Sequence, residues 1–372
     1  MQPFPMIELE GDPRTRGRQY GAAAAERVHR SAEIYLTAFE KQTLGAAKVR
    51  ALVEEFLPII ERFGPEYVEE MRGIAEGAHC PLEHVVVVNA RTELLAQARR
   101  AAALADPDGC TGAVVLGEAS ADGRVLHGQN WDWRAECADT GVVLHIRRED
   151  GPDLMTFTEA GGLARCGMNA AGIGLTANFL GSDRDHRRPG VPLVFLRRRA
   201  LESAHFALAI RTIYATPKSG SNNIMLSHCD GAALDIESAP DESFLLHPQD
   251  GILVHANHWE NVSALAKLRD AGLPDTPDSS YRAQRVRGAL AAKRGRIGLD
   301  DLKAAFFDDF GTPYSVCRPP RPAAVGDNLS ATVMMIVMKP AEGWMEICPL
   351  PAENRVFTRY ALAGHTLEVA AE

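Results

Sequence analysis

From residue 16 to about 105, apolar residues recur at three- and four-residue steps. Val28, Ala32, Tyr35 and Phe39 form one row, and Val53, Phe56, Leu57, Ile60 and Phe63 another. That period puts the side chains on one helical face, so the first hundred or so residues are predicted to be mainly α. Gly64-Pro65 interrupts the pattern, and Tyr67, Met71 and Ile74 begin a further helix. After Asp106-Pro107-Asp108-Gly109 the texture changes. TGAVVLG, RVLHGQNWDW, TGVVLHIRR, DLMTFTEA and ARCGMNAAGIGLTAN are short β-rich runs separated by Gly and Asp, and they predict an antiparallel meander. Helical spacing returns over residues 192–214, where Leu193, Leu196, Leu201, Phe206, Leu208 and Ile210 predict a helix pair laid over the sheet. Strands are expected at 221–227, 232–237, 252–256, 331–338, 344–347 and 355–357, and short helices at 281–293 and 299–307. The only linker-like stretch is 105–108.

Composition narrows the class. The 372 residues are 46% hydrophobic and 24% charged, with 32 Gly and 22 Pro spread along the chain, which excludes a disordered or collagen-like polymer. A formal charge of −9 with no dense basic block leaves no electrostatic footprint for nucleic acid. The seven cysteines, at 80, 110, 137, 166, 229, 317 and 348, show no CxxC and no zinc-like spacing. Reduced thiols in a cytoplasmic protein fit them better than a disulfide framework. No signal-peptide pattern opens the chain, and no apolar run of about 18 residues suggests a membrane span.

The sharpest chemical feature is Asp108-Gly109-Cys110-Thr111-Gly112, where helical texture gives way to strand texture. Gly before Cys permits a backbone conformation that larger residues resist. Read alone, Cys110 is better explained as a small buried hydrophobe at a strand start. Gly128-Gln129-Asn130-Trp131-Asp132-Trp133 follows in what should be the hairpinned strand. A carboxylate between two indoles is costly without donors or a cation nearby, unless Asp132 simply lies at the surface beside half-buried rings. One cation that would suit it is the α-ammonium of Cys110, exposed by cleavage after Gly109. Such a residue carries nucleophile and base together: a thiol of pKa about 8.5 and an α-amine of about 7.7–8.0 lie close enough for the amine to take the thiol proton. The twelve histidines, dispersed at positions such as 127, 145, 228 and 255, offer no persuasive alternative base.

These motifs resemble those of the isopenicillin N acyltransferase family of N-terminal nucleophile hydrolases. Asn89-Ala90-Arg91-Thr92-Glu93, Met168-Asn169-Ala170-Ala171-Gly172-Ile173-Gly174-Leu175-Thr176-Ala177-Asn178, His255-Ala256-Asn257-His258 and Asp309-Phe310-Gly311-Thr312-Pro313-Tyr314-Ser315-Val316-Cys317-Arg318 extend the similarity, in order, over residues 7 to 358. The resemblance implies an α+β, four-layer αββα sandwich and a precursor that cuts itself before Cys110. An α segment of residues 1–109 and a catalytic β segment of 110–372 would then share one fold. It implies that Cys110 attacks an amide or thioester carbonyl, that Asp132 orients the new amine, and that Asn257 supplies an oxyanion donor; Asn178 is a second oxyanion candidate, with a structural turn or sheet-end amide as the alternative. The related bile-salt and penicillin V hydrolases carry Arg where this chain has Gln129, which can hydrogen-bond but brings no charge. Ser279-Ser280-Tyr281-Arg282 resembles their Ser-x-x-Arg and makes Arg282 the candidate replacement cation, although a helix-surface arginine is an equal reading.

The expected partner is a small-molecule N-acyl amide or acyl thioester, with no cofactor, metal, nucleic acid or membrane, and a homo-oligomer is compatible with the sequence. Arg197-Arg198-Arg199 is expected on a solvated helix face, with a basic patch that greets a phosphate or carboxylate, such as that of coenzyme A, as the alternative; Gly161-Gly162 is expected in a turn, and Cys166 and Cys317 in structural positions. A non-catalytic scaffold of the same family and a conventional Cys-His peptidase are the competing readings.

Overall fold

The computed structural model describes residues 2–41, 45–102, 109–322, 329–362 and 369–370, with side chains left aside at 97–102 and 369–370. The expected linker at 105–108, including Asp108, lies outside the described residues.

The amino-terminal part is a short strand, β1 (Met6–Leu9), followed by six helices. These are α1 (Pro13–Ala23), α2 (Ala25–Lys41), α3 (Ala46–Phe63), α4 (Pro65–Gly77), α5 (Leu82–Asn89) and α6 (Arg91–Ala102). Helices α1 and α4 cross at backbone contact because each carries two glycines one turn apart. A Cβ on Gly17, Gly21, Gly73 or Gly77 would lie 2.1–2.3 Å from a carbonyl oxygen of the other helix. The amphipathic rows behave as the spacing predicts, with Val28, Ala32, Tyr35 and Phe39 buried along α2 and Val53, Phe56 and Ile60 along α3.

The strands β2 (Gly109–Val115), β3 (Leu126–Arg134), β4 (Gly141–Ile146), β5 (Leu154–Glu159), β6 (Cys166–Asn169) and β7 (Ile173–Phe179) coincide with the expected β-rich runs, yet they do not form one meander. The chain changes sheet over residues 135–140. Helices α7 (Leu193–Leu201) and α8 (Phe206–Ala215) precede β8 (Asn222–His228), β9 (Ala232–Ser238), β10 (Ser243–Leu246) and β11 (Ile252–His255). Helices α9 (Val262–Leu265), α10 (Asp278–Ala291) and α11 (Leu299–Phe306) lead to β12 (Arg321–Pro322), β13 (Leu329–Lys339), β14 (Trp344–Pro349), β15 (Phe357–Ala361) and β16 (Val369–Ala370).

One eight-stranded sheet has the order β1-β4-β5-β6-β7-β8-β9-β10. The other runs β11-β2-β3-β13-β14-β15-β16, with β12 also paired to β13. Every pairing is antiparallel except β1 on β4. Helices α2, α7 and α8 pack on the first sheet, and α10 and α11 on the second, while β2 and β3 face β7 across the middle. The result is the expected αββα layering. Strand alternation sends Ala113 and Val115 towards α10 and α11, into a core with Val286, Leu290 and Phe306, and sends Val114 between the sheets against Met225 and Leu253. None of the seven cysteines is in a disulfide, and no described helix is long and apolar enough to cross a membrane.

Candidate active site

Strand β2 begins at Gly109 and pairs with β3 so that Gly109 lies opposite Asp132 and Cys110 opposite Trp131. Cys110 is fully buried. Its N–H donates to Asn257 Oδ1 at 2.8 Å, and its carbonyl oxygen accepts from Arg282 Nη1 at 2.8 Å. Arg282, presented by α10, spreads its fork further. Nη1 also donates to Thr111 Oγ1 at 2.8 Å, Nη2 to Asn257 Oδ1 at 3.0 Å, and Nε to Asp278 Oδ2 at 2.8 Å. Burial and the neighbouring Arg318 pull its pKa below the usual arginine range, and Asp278 opposes them. Arg282 therefore grips the main chain of the Cys110–Thr111 segment.

A guanidinium reaches the sulfur from Arg165, whose Nη2 lies 3.9 Å from Cys110 Sγ. Its Cζ stands 3.8 Å from the centre of the Trp131 ring, close enough for a cation–π contact. Arg165 comes from the turn before β6, so the charge reaches the thiol from the opposite sheet. The sequence offered only a single Arg beside Cys166 as a sign of it.

Asp132 is 1% exposed and doubly held. Its Oδ1 accepts from Thr332 Oγ1 at 2.6 Å, and Oδ2 lies 3.2 Å from Arg318 Nε, whose Nη2 pairs with Asp278. Register explains the first contact, because Thr332 sits directly opposite Asp132 where β13 pairs with β3. Gly109 lies against this ion pair. A Cβ there would come within 2.5 Å of Asp132 Oδ2 and 2.8 Å of Arg318 Nη1, so no side chain fits without displacing them.

The two asparagines have distinct tasks. Asn257 shows Cys110 its acceptor oxygen, while its Nδ2 donates to Phe179 O at 3.0 Å and its N–H to Ser279 Oγ at 2.6 Å. Asn178 accepts from Gln129 Nε2 at 2.5 Å and donates at 3.0 Å to both His255 O and Ala256 O. Gln129, the residue without charge, thus acts through Asn178 on the loop that carries Asn257. That loop is also tied to β9, because Glu237 accepts from His255 Nε2 at 2.8 Å, Glu260 N at 2.6 Å and Asn261 N at 3.1 Å. Burial alone would push the His255 imidazole down, but Asp235 and Glu237 outweigh it and hold it up, at about 10. His127 is wedged between Ser227 and Thr176, and burial pushes it down to about 3. Burial likewise pushes the thiols of Cys166 and Cys317 up to about 12, as inert structural cysteines require.

One expectation is corrected here. The Arg197-Arg198-Arg199 face is not solvated, because α7 is packed on the first sheet and against α4. Arg198 is fully buried, with Glu70 at 3.0 Å and Glu202 at 2.8 Å. Arg199 is half-buried and pairs with Glu66 at 2.6 Å, and Arg197 is buried.

The two facing sheets between helix layers make the protein a four-layer α+β sandwich. Residues 119–349 match the model of the acyl-coenzyme A:6-aminopenicillanic acid acyl-transferase family, a stretch that holds Asp132, Asn178, Asn257 and Arg282. The chain belongs to that family, and it is an enzyme of acyl-group transfer or hydrolysis. It is 27% identical over 322 residues to the 40 kDa form of the acyl-coenzyme A:6-aminopenicillanic-acid-acyltransferase of Emericella nidulans, covering 84% of each chain. Among solved structures it is similar to the conjugated bile acid hydrolase of Clostridium perfringens, at TM-score 0.47 and 13% identity, over 71% of this chain and 97% of that one. The penicillin V acylase of Agrobacterium tumefaciens gives TM-score 0.43 and 17% identity, over 67% of this chain and 90% of that one.

Proposed function

We propose that the chain is a precursor that cuts itself between Gly109 and Cys110, and that the resulting amino-terminal cysteine transfers or hydrolyses the acyl group of an N-acyl amide or acyl thioester. The observation that carries this reading is what surrounds that bond: Asn257 holds the Cys110 nitrogen, Arg282 holds the carbonyl of the next peptide, and the Asp132–Arg318 pair packs against Gly109 so closely that no side chain fits there. In the first step Cys110 Sγ attacks the Gly109 carbonyl carbon. The Gly109–Cys110 C–N bond breaks, the thiol proton passes to the departing nitrogen, and a thioester joins Gly109 to the sulfur. Water then hydrolyses that thioester, leaving the Gly109 carboxylate on a segment of residues 1–109 and an α-amine on a segment of 110–372.

In turnover the same sulfur attacks the substrate carbonyl, with the Cys110 amine as base. Asp132 orients the α-amine across the strand pair, and Arg165 stabilises the thiolate. Asn257 supplies an oxyanion donor by exchanging Phe179 O for the substrate oxygen, an interaction worth about 10²–10³ in rate. Asn178 serves through the Asn257 loop. Water resolves the acyl-enzyme in hydrolysis and an amine resolves it in transfer. The absence of disulfides is in keeping with a reducing, cytoplasmic setting. The test is acid quenching of the enzyme during turnover of a panel of N-acyl amides, followed by mass mapping. The reading predicts a hydroxylamine-labile acyl adduct on Cys110. Turnover with the acyl group on another residue, or with none on Cys110 under any quench, overturns it.

A further inference from the structure

Beside Cys110 lies a cluster of buried charge that the reaction above does not fully use. Arg91, Arg165 and Arg197 are 5%, 6% and 7% exposed. Arg91 is accounted for, with Glu159 at 2.8 Å and its Cζ 4.9 Å from the centre of the Trp133 ring. Arg165 and Arg197 are not. Among the described residues neither has a carboxylate at ion-pair distance, and the buried Nε of each is without a hydrogen-bond partner. Arg165 reaches the sulfur with Nη2, which leaves the rest of its fork. Arg197, on α7, has Arg165, Arg91, Glu93 and Cys110 as its electrostatic neighbours. Burial first, and repulsion by the two arginines second, pull its pKa down to about 10. Among the described residues the carboxyl group in that set, Glu93, accepts the Leu193 N–H at 2.9 Å, and burial pushes it up to about 7. It is therefore only a partial counter-charge at neutral pH.

A buried guanidinium without an anion is costly, and two side by side more so. A chain that keeps both next to its reactive sulfur has a place for a negative group that the described residues do not supply. A guanidinium fork matches a carboxylate with two parallel hydrogen bonds. We propose that Arg165 and Arg197 form a carboxylate-binding subsite beside Cys110, so that the acyl amide this enzyme accepts carries a carboxylate within a few bonds of the carbonyl that is attacked. The proposal rests on the reading of Cys110 as the nucleophile only for the position of that carboxylate. The subsite itself stands on two buried arginines that no described carboxylate pairs and whose Nε atoms lack partners.

The carboxylate can belong to either half of the amide, and matched probes separate the two. Phenylacetylglycine carries it on the amine half and N-benzylsuccinamic acid on the acyl half. The primary amides of both acids are the neutral counterparts. Binding of all four to the purified wild-type protein is measured by calorimetry, and turnover by product mass. The expectation is that at least one acid binds tenfold or more tightly than its amide. Arg197→Gln should bring that ratio to within about twofold of unity, and Arg197→Lys should restore part of it. Thermal unfolding of each variant shows that it is folded. Equal binding of acid and amide in the wild type, binding of none of the four, or a preference that survives Arg197→Gln overturns the subsite. An acid preference that responds to Arg197→Gln without turnover of any amide keeps the subsite and counts instead against the proposed activity.

Discussion

Replacing Arg165 by Met removes the guanidinium whose Nη2 lies 3.9 Å from the Cys110 sulfur. At that separation a unit charge and a thiolate attract by about 4 kcal/mol at an effective dielectric constant near 20. At roughly 1.4 kcal/mol per pH unit, this bounds the upward displacement of the thiol's reactivity profile at about three units. Arg197 shares the field, and water enters an opened site, so the expected displacement is about one unit. The fall in kcat/KM at pH 7 is then roughly tenfold. The assay is the rate of iodoacetamide alkylation of Cys110 against pH, read by mass mapping on purified protein, beside the pH dependence of kcat/KM for one turned-over amide. Arg165→Lys keeps the charge while losing the flat stack on Trp131, so its profile should stay closer to wild type than that of the Met variant. If the Met variant's profile is unmoved, or Lys shifts it as far as Met does, Arg165 is not the cation that serves the thiolate.

Three other outcomes follow from the same geometry. Asp132→Asn leaves the buried Arg318 with Asp278 as its remaining carboxylate partner. Breaking a buried pair costs about 3–5 kcal/mol, so the variant should unfold at markedly lower denaturant and lose more in kcat than in KM. Burial holds Glu93 up to about 7 from the ordinary carboxyl value of 4.5, so its contribution to stability is fully present below about 4.5 and is lost as the pH rises through 7. Glu93→Gln lacks that loss, and denaturant titrations should find it more stable than wild type by about 3 kcal/mol at pH 8 and equal to it near pH 4.5. Glu237→Gln removes the charge opposite the His255 imidazolium and loosens the 256–261 loop. It should lower kcat severalfold with little change in KM, whereas a purely structural role would appear as lost stability at unchanged kcat.

Much of the fold was legible because single periodicities dominate its parts. The helical rows of α2 to α4 and the runs of β2 to β7 stand in the pattern of apolar positions. Their partition was not legible. Strands β3 and β4 are separated by only a short connection, and nothing in the local spacing says that it carries the chain from one sheet to the other. Strand β1 was missed because four residues, MIEL, are too few to show a period, and it is held by parallel pairing with β4, a contact remote in sequence. Cys110, Asp132, Asn257, Asn178 and Arg282 were singled out by motif, and the structure brings them into one connected network. Arg165 was missed, and Arg197 was read mainly as part of a solvated basic run, for a physical reason. An arginine reads as solvated unless its surroundings are known, and α7 is enclosed from two sides by elements distant along the chain. The role of Gln129 was equally hidden, since its amide acts on Asn178 and not on the sulfur.

The central claim is that Cys110 opens its own peptide bond and then works as an amino-terminal residue. Intact mass spectrometry of the freshly purified protein, beside Cys110→Ala, addresses it most directly. The account predicts two associated segments, residues 1–109 and 110–372, for the wild type, and one unbroken, inactive chain for the alanine variant. A wild-type protein that stays whole while turning over acyl amides, or an alanine variant that still divides before residue 110, would contradict it.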